Sequence, residues 1–516
     1  ALDQYGRAED IARSIALRAA ASLNRGSERS PALPVTVLDA NPSLRRVPVE
    51  FECMADHRPF WKGKWRMRLF RADGREVRCQ EEQPESLLPF NNWRRRISFV
   101  GEFPGVGVSR YFLKAFEIEA GPEKSSQEGG RVRRDHVPWS GMLASRLACR
   151  VDPRTALVRS LRTASGVECL TGPLLEPLVV EDKGDAWGAG LGSYRKVVGR
   201  LRPAGRPVIV ESGPVRTVTQ SVLVHGASRV VVEAVSYPRW PVLEFRFRVT
   251  WNEERRRLKL RVPTPFGAAS LLCEVPGGAI PRPPDGEEHV HGRWLVLEGE
   301  APRSGKRATS GRRAAAIGVA SCGQHGLDFK DGELRLSVLR SSAYCHERGF
   351  DLDASSVVGR GAPSGGPTAK FADIGVHEFR LLVTAGPPAS VKAMMPGLAD
   401  HLAAPPAAYA HLPYAADVVP PAETLLALKP ASVRLLACKR SWDGRALIVR
   451  LQEAVGKRTK AELKVARPRI GGTKPVPKRE NGPLMRVPLS FAPFEIMTVR
   501  VEPDGGWRKV ALIEEI

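Results

Sequence analysis

The sequence predicts a mainly β protein. An N-terminal helix leads into a small β domain, then a large antiparallel β-supersandwich, then a small C-terminal β-sandwich. Three observations predict this. Short runs of alternating polar and apolar residues follow one another from about residue 34 to the end of the chain. Hairpin chemistry punctuates them, as at Asp73-Gly74 and Asp331-Gly332. A long helical period occurs only near the start.

Residues 3–24, DQYGRAEDIARSIALRAAASLN, place Ala8, Ile11, Ala12, Ile15, Ala19 and Leu23 on one helical face. Gly26 and Pro31 then end the helix. Alone, such a stripe has nothing to bury itself against, so helix partners are expected upstream. The next region, 31–120, reads as a small β domain. In WKGKWRMRLF, Trp65, Met67 and Leu69 share a face. Residues 121–141 are polar and Gly-rich and read as a linker. Strand signals then run without a long helix from about 142 to 385, within a large sandwich over 142–424. The Ala/Pro-rich stretch 387–412 predicts a short helical piece at most. Residues 425–516 return to β and predict the terminal sandwich.

The chain has 516 residues, 42% of them hydrophobic and 26% charged. That length implies about three or four domains. No apolar run approaches the roughly 20 residues of a membrane span, and no signal peptide stands at the start, so a membrane partner is not expected. The missing initiator Met suggests a processed product or a fragment. Eight scattered cysteines form no zinc-type pairs of pairs; they read as free thiols in a reducing, cytoplasmic setting. The net charge of +23 comes from 79 Lys+Arg against 56 Asp+Glu. The arginines are dispersed, which predicts no specific nucleic-acid partner. In the basic run WNEERRRLKLRVP (251–263), Leu258, Leu260 and Val262 alternate with Arg257, Lys259 and Arg261. That is the period of a half-buried strand, with its charges in water.

Few motifs carry chemistry. GAGLGS (188–193) imitates a phosphate loop but lacks the strand–helix context and the Lys-Ser/Thr that follow one. His289 and His291 in HVH read as a surface pair more readily than as metal ligands. VEDKGDAWG (180–188) sets Glu181, Asp182 and Asp185 beside Trp187. Carboxylates beside an indole suit a sugar, with hydroxyl partners and a π-face. On chemistry alone they suit better a turn with Asp caps and an anchoring Trp. GQHGLDFKDGELRLSVLRSSAYCHE (323–347) ends a predicted strand in Arg340, Ser341, Tyr344 and His346. Arg340 there either clamps a ligand oxygen or pairs with a neighbouring carboxylate.

In order along the chain, EDKGDAWG, the run ESGPVRTVTQ through LKLRVP, IPRPPDGEEHVHGRWLVLEG, GQHGLDFKDGELRLSVLRSSAYCHE and GVHEFRLLV resemble the C-terminal β region of family 38 glycoside hydrolases, the α-mannosidases. NNWRRRISFVGEFPGVGVSRYFL resembles the small β domain of bacterial members. The resemblance covers residues 1–120, 140–385 and 425–516. It implies that 1–30 is the last helix of a truncated bundle and that 142–424 is a galactose-mutarotase-like sandwich. It further implies a retaining mechanism, with nucleophile, acid/base and a zinc held by His and Asp, in an N-terminal catalytic domain with no counterpart here. This chain is therefore expected to hold no catalytic residue and no metal, and to be inactive alone. Its implied partners are mannose-containing glycans and that catalytic domain, in cis or in trans. By resemblance, Arg340 and Tyr344 lend support to substrate binding, with Asp185 and Trp187 next. Ala186 stands where the family carries Thr, which puts a hydroxyl contact in doubt. The alternative is a stand-alone carbohydrate-binding β-sandwich protein.

Overall fold

The computed structural model describes residues 2–22, 32–43, 46–54, 64–82, 84, 94–118, 142–144, 147–184, 188, 192–302, 311–343, 371–411, 423–466 and 484–513. The chain is mostly β, an N-terminal helix followed by antiparallel sheets. It divides into two units. One comprises Ala1–Arg134, Gly213–Arg216 and Pro396–Ile516; the other comprises Asp135–Ser212 and Thr217–Met395. The predicted linker, 121–141, lies outside the described residues.

In the first unit, the helix Leu2–Ser22 forms where its period predicts. Its apolar stripe is uncovered by the described residues: Ile11 and Ile15 are exposed. The strand Lys64–Arg71 buries Met67 and Leu69 together, as the alternation requires. Strands Leu33–Asp39, Lys64–Arg71 and Val106–Ile118 do not form a sheet of their own. Val106–Ile118 also pairs with Glu423–Lys429, and one eight-stranded sheet continues through Thr459–Val465 and Met485–Phe491. The regions predicted as separate domains, 31–120 and 425–516, thus share a sheet. Each half keeps its own core. Val35, Leu69, Ile97, Phe99 and Leu113 fill the first, beneath the three-stranded sheet Arg46–Met54, Arg94–Glu102 and Cys79–Glu82. Leu428, Leu451, Leu463 and Val499 fill the second, beneath the four-stranded sheet Val433–Arg440, Leu447–Glu453, Ile496–Val501 and Trp507–Val510. The seam is tight at Gly105, where a Cβ would lie 2.1 Å from the Leu426 carbonyl oxygen.

Asp39 ends the strand Leu33–Asp39 inside this unit. One carboxylate oxygen accepts from the Asn41 backbone N–H at 3.0 Å; the other has no partner among the described residues. Burial pushes its pKa up from 3.8 to about 7, against the pull of that Asn41 bond. A carboxyl raised on folding favours the protonated native state, so stability falls as pH climbs from about 4 through 7. Asp39→Asn keeps the acceptor and removes the titration. It is expected to raise stability at pH 8 by up to about 4 kcal/mol and to change little near pH 4. Denaturant titrations at both pH values check this; equal gains would show that Asp39 is not a buried acid.

The second unit is built of antiparallel sheets, as the fold class predicts, and it ends at Met395 where the predicted sandwich runs to 424. A ten-stranded sheet follows the path 202–203, 217–225, 228–236, 243–251, 375–386, 312–321, 294–302, 267–275 and 278–282, with 208–212 on its edge. A six-stranded sheet runs 197–200, 176–181, 256–263, 333–340, 326–330 and 288–290. A three-stranded sheet, 142–144, 147–151 and 158–163, adds to the same core. That core joins Phe245, Phe247 and Trp251 of the ten-stranded sheet to Leu258, Leu260 and Leu336 of the six-stranded one. The hairpin at Asp331-Gly332 has both residues at positive φ, 52° and 72°, as its turn type demands.

The stretch after residue 387 departs from expectation. Pro388–Ala403 is a 16-residue helix with Pro396 inside it. Burial of Val391, Met395, Leu398 and Leu402 outweighs the local cost of that proline. Gly318 makes room for its first half: a Cβ there would lie 2.3 Å from the Met395 sulfur.

Candidate functional site

The strand Arg256–Pro263 sits inside the six-stranded sheet of the second unit, between Glu176–Glu181 and Glu333–Arg340. Its alternation is as predicted: Leu258, Leu260 and Val262 enter the core. The opposite face is not in water, which corrects the sequence reading. Arg257 is 6% exposed and Lys259 0%. Each charge is met by a carboxylate from a distant part of the chain, so burial is tolerated.

Lys259 is the centre of this network. Its Nζ donates to Glu288 Oε2 at 2.6 Å and also to Asp328. Glu288 and Asp328 lie directly opposite each other on neighbouring strands. Two such carboxylates would repel without a cation between them. Lys259 reaches both by crossing Ser337, its register partner, whose hydroxyl also bonds Glu288. Gly326 is in register with Ser337, and a Cβ there would approach Glu288 Oε1 to 2.8 Å. Two small residues thus open the channel in which the ions lie. Burial pushes the Glu288 carboxyl up, but the Lys259 and Arg257 charges outweigh it and hold it below the ordinary range. Asp328 also pairs with Arg195, and Arg261 bridges Glu333 and Glu176.

At the strand's other end lies Arg340. It is in register with Arg257, which sets two guanidiniums side by side. Asp182, fully buried, compensates both: its Oδ2 stands 2.7 Å from Arg340 Nε and 3.3 Å from Arg257 Nε. Its other oxygen caps the Gly184 backbone N–H at 3.0 Å. The Tyr194 ring lies 3.5 Å from the Arg257 guanidinium carbon and 5.7 Å from that of Arg340. Gly188 closes in from another side, at φ +66°; a Cβ there would stand 3.2 Å from the Tyr194 hydroxyl and 3.5 Å from Arg340 Nη2. Behind Arg340, the Ser341 hydroxyl accepts from the Trp251 indole N–H at 3.0 Å. The side chain is therefore fixed while 23% of it is exposed. A held guanidinium with a wet edge can donate to a ligand oxygen without losing much rotamer freedom.

Of the four predicted site residues, only Arg340 is described. Asp185, Trp187 and Tyr344 lie outside the described residues. Of the two readings of Arg340, carboxylate pairing is present, through Asp182. Glu181 pairs with Lys196 and Lys183. Tyr194, Glu288 and Asp328 carry no local sequence signal that marks them as site residues. In the sequence Asp182 is one of three equivalent acids; its burial marks it as the hub.

The described histidines are not clustered as metal ligands. His291 is 2% exposed, not a surface residue, and neither ring nitrogen has a partner among the described residues. Burial, then the nearby His325, push its pKa down to about 4. His289 instead pairs with Asp285 at 3.0 Å. Among the described residues no group of three or more His, Cys, Asp or Glu is placed to hold a metal ion. They do not fit a zinc site. Among them, too, no helix is long and apolar enough to cross a membrane.

Residues 145–348, which include Arg340 and the whole ion network, match the family described as glycosyl hydrolases family 38 C-terminal domain. No curated protein matches the chain in sequence. Among solved structures, it is similar in fold to an alpha-mannosidase from Enterococcus faecalis V583, with a TM-score of 0.68 and 13% identity. It is similar also to a glycosyl hydrolase family 38 protein from Enterococcus faecalis, with a TM-score of 0.69 and 12% identity. Both alignments cover 97% of this chain, but only 60% and 62% of those chains. The chain thus spans about three fifths of the length of these structures.

Proposed function

With residues 145–348 forming a family 38 glycosyl hydrolase C-terminal domain, we propose that this chain is the C-terminal portion of a retaining, zinc-dependent α-mannosidase that acts on mannose-containing glycans. The family match carries the reading. The fold supports it beyond the matched residues, since the similarity to the Enterococcus faecalis alpha-mannosidase covers 97% of the chain. The nucleophile, the acid/base and the zinc belong to a catalytic domain supplied in cis or in trans. The uncovered apolar stripe of the helix Leu2–Ser22 gives such a domain a surface to pack on. Retaining hydrolysis needs two carboxyl groups about 5 Å apart across the sugar. Asp182, Glu288 and Asp328, the carboxylates around Arg340 and Lys259, are instead committed to buried cations. Arg340 takes the supporting role, as a fixed donor at the edge of the substrate site; Tyr344, Asp185 and Trp187 share that role by resemblance. Cytoplasmic residence is part of the same reading, supported by free thiols at Cys53, Cys79, Cys149, Cys169, Cys273, Cys322 and Cys438.

The purified chain, given zinc and an aryl α-mannoside, is expected to release no aryl alcohol above the buffer rate. Robust turnover by this chain alone would place the chemistry within it and overturn the assignment of nucleophile and metal. A stand-alone glycan-binding protein is the second reading. It shares the absence of turnover but predicts no mannosidase activity in any assembly containing the chain.

A further inference from the structure

Beside Arg340 lies a hydroxyl that the fold does not use, that of Tyr194. The residue is 6% exposed, and its ring packs with Leu178 and Val180. The Arg257 guanidinium carbon stands over the ring, 3.5 Å from its centroid. The chain is tied down on both sides. The Gly192 carbonyl accepts from the Glu288 N–H at 2.7 Å, and the Ser193 hydroxyl donates to the Gly286 carbonyl at 2.9 Å. The Arg195 carbonyl accepts from Arg335 Nη1 at 2.9 Å, and the Lys196 carbonyl from the Glu181 N–H at 2.9 Å. These anchors fix where the ring lies.

The hydroxyl at the end of this fixed ring has no hydrogen-bond partner among the described residues. It is not sealed from water either. A tyrosine so deeply buried ordinarily satisfies its O–H within the protein. Here the hydroxyl lies beside the bare side of Gly188, where three polar atoms converge. At the position a Gly188 Cβ would take, the nearest heavy atoms are the Tyr194 hydroxyl at 3.2 Å and Arg340 Nη2 and Nη1 at 3.5 and 3.7 Å. Gly188, at φ +66°, has no side chain to fill that space.

We propose that Tyr194 is a second substrate-holding residue, whose hydroxyl binds the same mannoside hydroxyl as the Arg340 guanidinium. This role rests on the proposed substrate contact of Arg340 and adds a residue to it. Arginine only donates, a tyrosine hydroxyl donates or accepts, and a sugar hydroxyl can do both. One sugar oxygen can therefore accept from Arg340 while it exchanges a bond with Tyr194. An apolar group in the same place would leave both protein groups unpaired, which is costly once water is displaced. Ring and guanidinium are already fixed, so little side-chain entropy is lost on binding.

Tyr194→Phe isolates the hydroxyl, because it keeps the ring under Arg257. Wild-type and variant chains are purified in their native assemblies and assayed on an aryl α-mannoside and on analogues that each lack one sugar hydroxyl. Tyr194→Phe is expected to lower kcat/KM on the parent mannoside by about 3- to 10-fold, the worth of one neutral hydrogen bond. The loss should fall mainly on KM, with an unchanged unfolding midpoint. On the analogue that lacks the bound hydroxyl, wild type and Tyr194→Phe should be equal, and the loss in Arg340→Ala should be smallest. Wild-type turnover that Tyr194→Phe leaves unchanged would overturn this role alone. So would a loss equal on every analogue, or one that comes with a lowered unfolding midpoint, which would make the hydroxyl structural. A wild-type assembly without α-mannosidase activity would overturn the mannosidase assignment, and this role with it.

Discussion

Lys259→Met is expected to destabilise the large sandwich by about 3–5 kcal/mol, the usual cost of removing one partner from a buried ion pair. For a unit of this size that corresponds to a fall of roughly 6–20 °C in its unfolding midpoint. The cause is not lost packing, since Met fills a similar volume. The change strands Glu288 and Asp328 opposite each other, with Arg257, Arg195 and Ser337 left to compensate among the described residues. Adding Asp328→Asn to Lys259→Met should recover part of the loss, because it removes one of the stranded charges. A fall below about 1 kcal/mol would mean that these ions are solvated, as in ordinary surface pairs. Calorimetric scans of the three variants measure this directly.

In the assembled enzyme, Arg340→Ala is expected to lower kcat/KM on an α-mannoside by roughly 10- to 100-fold. That is the loss of one charge-assisted hydrogen bond, about 1.5–3 kcal/mol. The change should fall mainly on KM, because Arg340 is proposed to hold substrate rather than take part in bond breaking. Arg340→Lys should not rescue it, since one ammonium cannot hold Asp182 along Nε and still donate outward. Asp182 keeps Arg257 and its Gly184 cap, so the fold should tolerate the change. Unchanged kcat/KM in Arg340→Ala, with the protein folded, would reduce Arg340 to a structural ion.

The strand periods, hairpin turns and N-terminal helix were legible in the sequence because each is set by residues a few positions apart. Alternation at 256–263 correctly placed Leu258, Leu260 and Val262 inward. It could not reveal that Arg257 and Lys259 are buried, because their partners Asp182, Glu288 and Asp328 lie 29 to 75 residues away in sequence. Nor could it reveal that Val106–Ile118 pairs with Glu423–Lys429, which joins regions read as separate domains. The helix Pro388–Ala403 was underestimated because Pro396 and the surrounding Ala/Pro content argue locally against it, whereas its stability comes from tertiary burial. At the candidate site, Arg340 was legible as an arginine at a strand end. The carboxylate that fixes it became distinguishable from Glu181 only through burial.

The central claim is that this chain works as part of an α-mannosidase whose chemistry lies in another domain. Its most direct test is to purify the chain under native conditions from the cells that make it and to assay the eluate with aryl α- and β-mannosides. The account predicts α-mannoside hydrolysis that co-elutes with the chain, disappears with a zinc chelator and falls when the chain carries Arg340→Ala. The α-anomer alone should be cleaved. An eluate in which the intact chain shows no α-mannosidase activity would contradict it, as would activity that the recombinant chain reproduces unaided.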